Sequence, residues 1–168
     1  MIVVVMGVAG VGKSLIGAKL AEQLGLPFLE GDAYHPAENV AKMRGGVPLD
    51  DVDRWPWLEA LGRDAARRGA CVVACSALKE SYRKRLRRHA PRAVFVHLRG
   101  RPEVIAKRLA ARTGHYMPPT LLDSQIATLE TPRNAIVVDI DAAPETVLAR
   151  IRAALRKRRM ISGAAARS

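Results

Sequence analysis

Aromatic residues, cysteine and acidic side chains are the scarce types in this chain. Phe, Trp and Tyr make up only 4% of the 168 residues. An array of rings on which successive nucleobases stack is therefore poorly supported. The two cysteines, Cys71 and Cys75, lie in the apolar run CVVAC. On a strand they share one face but stand too far apart for a comfortable disulfide. No Cys-x-x-Cys pair offers zinc ligands. Both are expected to be small core residues in a reducing compartment. No apolar run approaches the roughly 20 residues of a membrane span. The short N-terminal apolar run lacks a basic leader, so it reads as a buried strand and not a signal peptide. A cytoplasmic protein with no membrane partner is expected. Acidic residues number 16 against 28 Lys and Arg, a net charge of +12. The excess sits mainly in KESYRKRLRRH and RIRAALRKRR, which read as solvated helix faces. A general affinity for anions is expected, and specific nucleic-acid recognition is not.

What is present is concentrated at the start. The β-branched run Ile2–Val5 enters Gly7-Val8-Ala9-Gly10-Val11-Gly12-Lys13-Ser14. This matches G-x-x-x-x-G-K-[ST] in full, between a strand-like and a helical stretch. Glycines let the chain wrap so that successive N–H groups point at phosphate oxygens. The following helix adds the partial positive charge of its N-terminus. The pattern predicts a nucleoside-triphosphate site, with ATP and Mg²⁺ as cofactors. Gly7, Gly10, Val11, Gly12, Lys13, Ser14 and Leu15 are expected to bind the nucleotide. Lys13 reaches the β and γ phosphates and the Ser14 hydroxyl holds Mg²⁺.

Strand-like runs alternate with amphipathic ones along the rest of the chain. Strands read as Ile2–Val5, Pro27–Leu29, Cys71–Cys75, Val94–Leu98 and Ile136–Val138. Helices read as Lys13–Leu24, Pro36–Arg44, Asp53–Arg68, Lys79–Arg88, Pro102–Arg112, Leu121–Leu129 and Pro144–Arg158. This alternation predicts a parallel sheet covered on both faces, with all strand C-terminal ends on one edge. Ligands bind along such an edge. Residues 1–158 read as a single domain and 159–168 as a flexible basic tail.

The second strand ends in LEGDAYHP. Glu30 is assigned the metal side, through water, and Asp32 the base that takes a proton from an attacking hydroxyl. In VPLDDVDRWPWL, Asp51 or Asp53 is expected to cap the next helix, with Pro56 in its first turn. Arg54 at its mouth suits a carboxylate, through two parallel hydrogen bonds. The third strand runs into CSALKESYR, where Ser76 stands at a place that often carries Asp. That departure favours a small kinase, with Ser76 bonding substrate hydroxyls. Arg108 and Arg112 share a helix face ahead of a Gly/Pro stretch that reads as a lid, about residues 112–124. Lid arginines stabilise charge on the transferring group. The loop between Glu130 and Ala135 is expected near the nucleobase.

Four stretches together resemble the gluconokinases, small phosphate-loop kinases similar to shikimate kinase and the nucleoside-monophosphate kinases. They are GVAGVGKS, GDAYHPAENVAKMRGGVPLDDVDRWPWL, CSALKESYRKRLR and ARTGHYMPPTLLDSQIATLE. The resemblance covers about Met1 to Ala154. It implies a three-layer α/β fold with a five-stranded parallel sheet in the order 2-3-1-4-5. It implies ATP-dependent phosphorylation of D-gluconate at its 6-hydroxyl. Asp32 becomes the base, Arg54 a substrate contact, and His35, Ser76 and Lys79 substrate-side residues. Arg112 becomes the lid arginine, and Gln125 closes over the substrate. Glu30 departs from the pattern, where Asp is expected before the Gly-Asp pair. The resemblance also implies a homodimer. The competing expectations are a kinase of this fold with another acceptor, and a nucleic-acid-binding NTPase.

Overall fold

The computed structural model describes residues 1–111 and 119–165, without the side chains of 119–121 and 159–165. Its strands are β1 (Ile2–Met6), β2 (Phe28–Glu30), β3 (Cys71–Ala74), β4 (Val94–Arg99) and β5 (Ile136–Asp139). Its helices are α1 (Lys13–Leu24), α2 (Ala37–Arg44), α3 (Asp51–Arg68), α4 (Glu80–His89), α5 (Pro102–Ala110), α6 (Pro119–Thr128) and α7 (Pro144–Ala165). A short 3₁₀ turn, Gly31–Tyr34, follows β2. The strands form one parallel sheet in the order β2-β3-β1-β4-β5. The order is the expected one, and it brings the chain leaving β1 between the ends of β3 and β4.

Side-chain alternation explains the layers. Val3 and Val5 of β1 join a core with Ile16 and Leu20 of α1 and Leu148 and Ile151 of α7. Val4 and Met6 point the other way, into a core with Trp57, Leu58 and Leu61 of α3 and Tyr82 and Leu86 of α4. Each such buried aliphatic side chain contributes about 1.5–3 kcal/mol. Cys71 and Cys75 are free and buried in the second core. Burial pushes the Cys75 thiol up to about 12, so it stays protonated and unreactive.

Most element boundaries differ from the sequence reading by a residue or two, and larger differences concern α3 and α7. The cap of α3 is Asp50, not Asp51 or Asp53. Its carboxylate accepts from the Asp53 N–H at 2.8 Å, and Asp53 accepts from the Asp50 N–H at 3.1 Å, a reciprocal capping box. With the helix starting at Asp51, Pro56 sits in the second turn. The ring leaves the carbonyl of Val52, an exposed residue, without its helical donor. Finally, α7 continues to Ala165, past Arg158 and into the segment expected to be a flexible tail.

Candidate active site

Three chain segments leave the carboxyl edge of the sheet and converge. The first is the phosphate loop between β1 and α1. Gly12 has φ +92°, a left-handed conformation that glycine adopts without steric cost, and it leads directly into α1. No side-chain hydrogen bond caps α1 at Gly12, and the N-terminus of a helix is a ready site for an anion. The Lys13 ammonium donates to the Val8 carbonyl at 3.0 Å, folded over the same loop. A cavity of about 240 Å³ beside the loop is lined by Gly10, Val11, Gly12, Leu15 and Arg108. Ile140, Ala142 and Pro144, from the chain after β5, complete it. Arg108 is held there by donating to the Ile140 carbonyl at 2.9 Å. The loop expected near the base, residues 130–135, does not line this cavity. Glu130 donates its N–H to the Leu78 carbonyl at 3.1 Å, and its carboxylate accepts from the Glu80 N–H at 2.6 Å. That loop is therefore tied to the start of α4.

The second segment carries Asp32. A Cβ on Gly31 would lie 2.2 Å from the Ala74 carbonyl oxygen, so only glycine lets β2 turn this tightly against β3. The indole N–H of Trp57 donates to the Gly31 carbonyl at 2.6 Å and fixes the turn. His35 stacks on Trp57 with ring centroids 4.0 Å apart. Burial holds the His35 imidazole below its ordinary pKa; Asp32 opposes this and Arg54 adds to it. His35 is thus a neutral hydrogen-bonding group at neutral pH and not a cation.

The third segment follows β3. Ala77 has φ +43°, a strained left-handed conformation that costs about 1–2 kcal/mol for a residue with a Cβ. The Gly7 N–H donates to the Ser76 carbonyl at 3.3 Å and links this turn to the phosphate loop.

A second cavity, about 430 Å³, joins the three segments. Lys13, Asp32, His35, Arg54, Ser76, Lys79 and Gln125 all line it. Every substrate-side residue proposed from sequence therefore falls in one place, next to the phosphate-loop lysine. Gln125 is tied to the loop itself, accepting from the Ala9 N–H at 2.7 Å. Arg54 donates to the Leu49 carbonyl at 3.3 Å and lies over the Tyr82 ring. It is not consumed by a local ion pair, because Asp53 takes Lys42 and Asp51 takes Lys79.

Sequence reading missed Asp51 and Tyr82. The Lys79 ammonium lies 2.7 Å from the Asp51 carboxylate, which also accepts from the Tyr82 hydroxyl. Lys79 first, and Tyr82 second, hold the Asp51 carboxyl below the usual range. Burial, with Asp51 adding to it, raises the Tyr82 phenol. Arg83 belongs to a charge run that reads as a solvated helix face, yet it is 1% exposed. Its neighbour Tyr82 and Leu86 mark the apolar face of α4, a signal the charge run masks. Glu30 ends β2 and lies outside the lining of both cavities. Arg112 and most of the expected lid lie outside the described residues.

A family model described as an AAA domain matches residues 2–132. A gluconokinase of Gluconobacter oxydans is 47% identical over 86% of this chain and 85% of its own length. The crystal structure of a gluconokinase from Sinorhizobium meliloti is 49% identical with a TM-score of 0.87, covering 92% of this chain and 91% of that one. A shikimate kinase from Aquifex aeolicus is only 19% identical, with a TM-score of 0.65 over 95% of this chain and 99% of that one, and shares the fold. By identity and coverage, the chain belongs to the gluconokinase family.

Proposed function

We propose that this protein transfers the γ-phosphoryl group of ATP to the 6-hydroxyl of D-gluconate. The observation that carries the reading is the single cavity shared by Lys13 and the acceptor-side residues Asp32, Arg54, Ser76 and Lys79. It holds a carboxylate for a hydroxyl proton, an arginine for a carboxylate, and polar groups for the hydroxyls between.

Phosphoryl transfer depends on positioning and charge neutralisation more than on a strong base. Arg54 anchors the gluconate carboxylate and so directs the far end of the polyol toward Lys13. Each hydrogen bond to a charged group contributes about 1.5–3 kcal/mol net. Asp32 accepts the proton of the 6-hydroxyl as the bond from O6 to the γ-phosphorus forms. The bond to the β-phosphate oxygen breaks, and ADP leaves. A bound polyphosphate offers Lys13 a stronger acceptor than the Val8 carbonyl, and the ammonium neutralises the developing charge. Arg108 lines the nucleotide side, and Arg112 is assigned the closing arginine. Neutral His35, with Ser76, serves the hydroxyls.

The Ser14 hydroxyl, in the first turn of α1, is the group assigned to Mg²⁺, which keeps several waters and binds mainly through substrate phosphates; Glu30, which lines neither cavity, is left a contact through water alone. When bound, that ion would neutralise the phosphate oxygens. No helix among the described residues is long and apolar enough to cross a membrane. A cytoplasmic homodimer without a nucleic-acid partner remains the accompanying expectation. Phosphorus–proton correlation NMR on the product tests the chemistry. The phosphate is expected on the C6 oxygen, and a phosphate on any other hydroxyl contradicts the orientation given to Arg54 and Asp32.

A further inference from the structure

We propose that Arg83, which lines neither cavity, is a positioning residue for the acceptor. Its buried guanidinium holds the Ser76–Lys79 turn in the conformation that presents Ser76 and Lys79 to the substrate. The inference rests on the reading of the larger cavity as the gluconate site.

A guanidinium that is 1% exposed must have its donors matched within the protein. Arg83 meets this through the turn. Nη1 donates to the Ala77 carbonyl at 2.9 Å and to the Leu78 carbonyl at 2.7 Å, while Nε donates to the Glu80 carboxylate at 2.8 Å. Two successive carbonyls converge on one donor only where the chain folds back on itself. Ala77 makes that fold with φ +43°, and among the described residues it is the one non-glycine with positive φ. A residue with a Cβ leaves this region unless something holds it there.

The far side of the turn is held as well. Glu130 bonds the Leu78 carbonyl and the Glu80 amide at 3.1 and 2.6 Å. Ser76 and Lys79, on either side of Ala77 and Leu78, line the cavity, as does Leu78. Relaxing Ala77 therefore moves both acceptor contacts first, with the phosphate loop joined to the turn through the Gly7 N–H and the Ser76 carbonyl. Lysine cannot replace this function, because one ammonium lacks the planar fork that serves two carbonyls and a carboxylate together.

The test uses Arg83→Lys alone and combined with Ala77→Gly, with Arg83→Met as a second clamp variant. Arg83→Lys is expected to raise the KM for gluconate about tenfold, the loss of roughly one charged hydrogen bond. The KM for ATP should change less than about twofold. Adding Ala77→Gly should recover much of the gluconate KM, because glycine keeps the left-handed turn without a clamp. Backbone amide exchange should quicken at residues 77–80 in Arg83→Lys and not across β3 or the rest of α4. This readout needs no acceptor, so it judges the clamp even where gluconate proves not to be the substrate. Equal changes in both KM values, no recovery with Ala77→Gly, or exchange that quickens throughout α4 and β3 would each overturn the proposal.

Discussion

At the residue scale the account turns on Asp32. It lies on a turn fixed by Gly31 and Trp57, in the cavity that Lys13 also lines. Asp32→Asn keeps the shape and removes the proton acceptor. Turnover should fall by about 10²–10⁴, the range for a positioned base, while ATP binding measured by calorimetry stays unchanged. Near-normal turnover in that variant would remove Asp32 from the role of base. Asp32 was legible because a carboxylate just past a strand end, on the edge shared with the phosphate loop, has few other tasks. Lys79 was legible only in part. Its partner Asp51 is distant in sequence, and their meeting depends on how α3 packs on α4. No local pattern encodes that distance. Arg83 was hidden for a related reason: a run of basic residues conceals the one that falls on the buried face of the helix.

At the scale of elements, α3 contributes Arg54 to the acceptor side, with Asp51, which pairs with Lys79, and Trp57, on which His35 stacks. Asp51, Arg54 and Trp57 recur at a spacing of three and so lie close to one face. The start of α3 therefore sets where Arg54 points. Asp50→Ala removes the half of the capping box in which the Asp50 carboxylate accepts from the Asp53 N–H, and leaves the backbone N–H of residue 50 to donate to Asp53. A cap of this kind is worth about 0.5–2 kcal/mol. The thermal unfolding midpoint should fall by roughly 1–8 °C, at about 2–4 °C per kcal/mol for a chain of this size. An unchanged midpoint would show that the box carries no weight. The sequence places three aspartates within four residues, at 50, 51 and 53. Each is a credible cap by composition, and only the backbone direction chooses among them. The helix itself, with its apolar residues Trp57, Leu58 and Leu61, needed no such choice.

At the scale of the molecule, the alternation of buried strands and amphipathic helices was enough to predict a parallel sheet, and the structure shows it in the expected strand order. The basic surplus was harder to place. Ion pairs hold several of the basic side chains in place while the net surplus of +12 remains: Glu59 takes Arg85 at 2.8 Å and His89 at 2.6 Å, and Glu80 takes Arg83 and Arg87. Asp64 shows the consequence for pH. The Tyr34 hydroxyl first, then Arg68 and Arg67, hold its carboxyl down to about 2, from an ordinary 3.8. A carboxylate depressed in the folded state stabilises above its unfolded pKa and loses that contribution as pH falls through the folded one. The stability gap between the native chain and Asp64→Asn should be largest at neutral pH and shrink between about pH 4 and pH 2. A gap that stays constant over that window would contradict the pairing. The central claim is that the phosphate loop and an acidic-polyol site share one cavity. The most direct measurement is ADP release from Mg-ATP with D-gluconate, beside shikimate, glucose and nucleoside monophosphates. Turnover confined to gluconate is predicted. Turnover with another acceptor and none with gluconate would keep the fold and contradict the assignment of Arg54, Ser76 and Lys79 to a sugar acid.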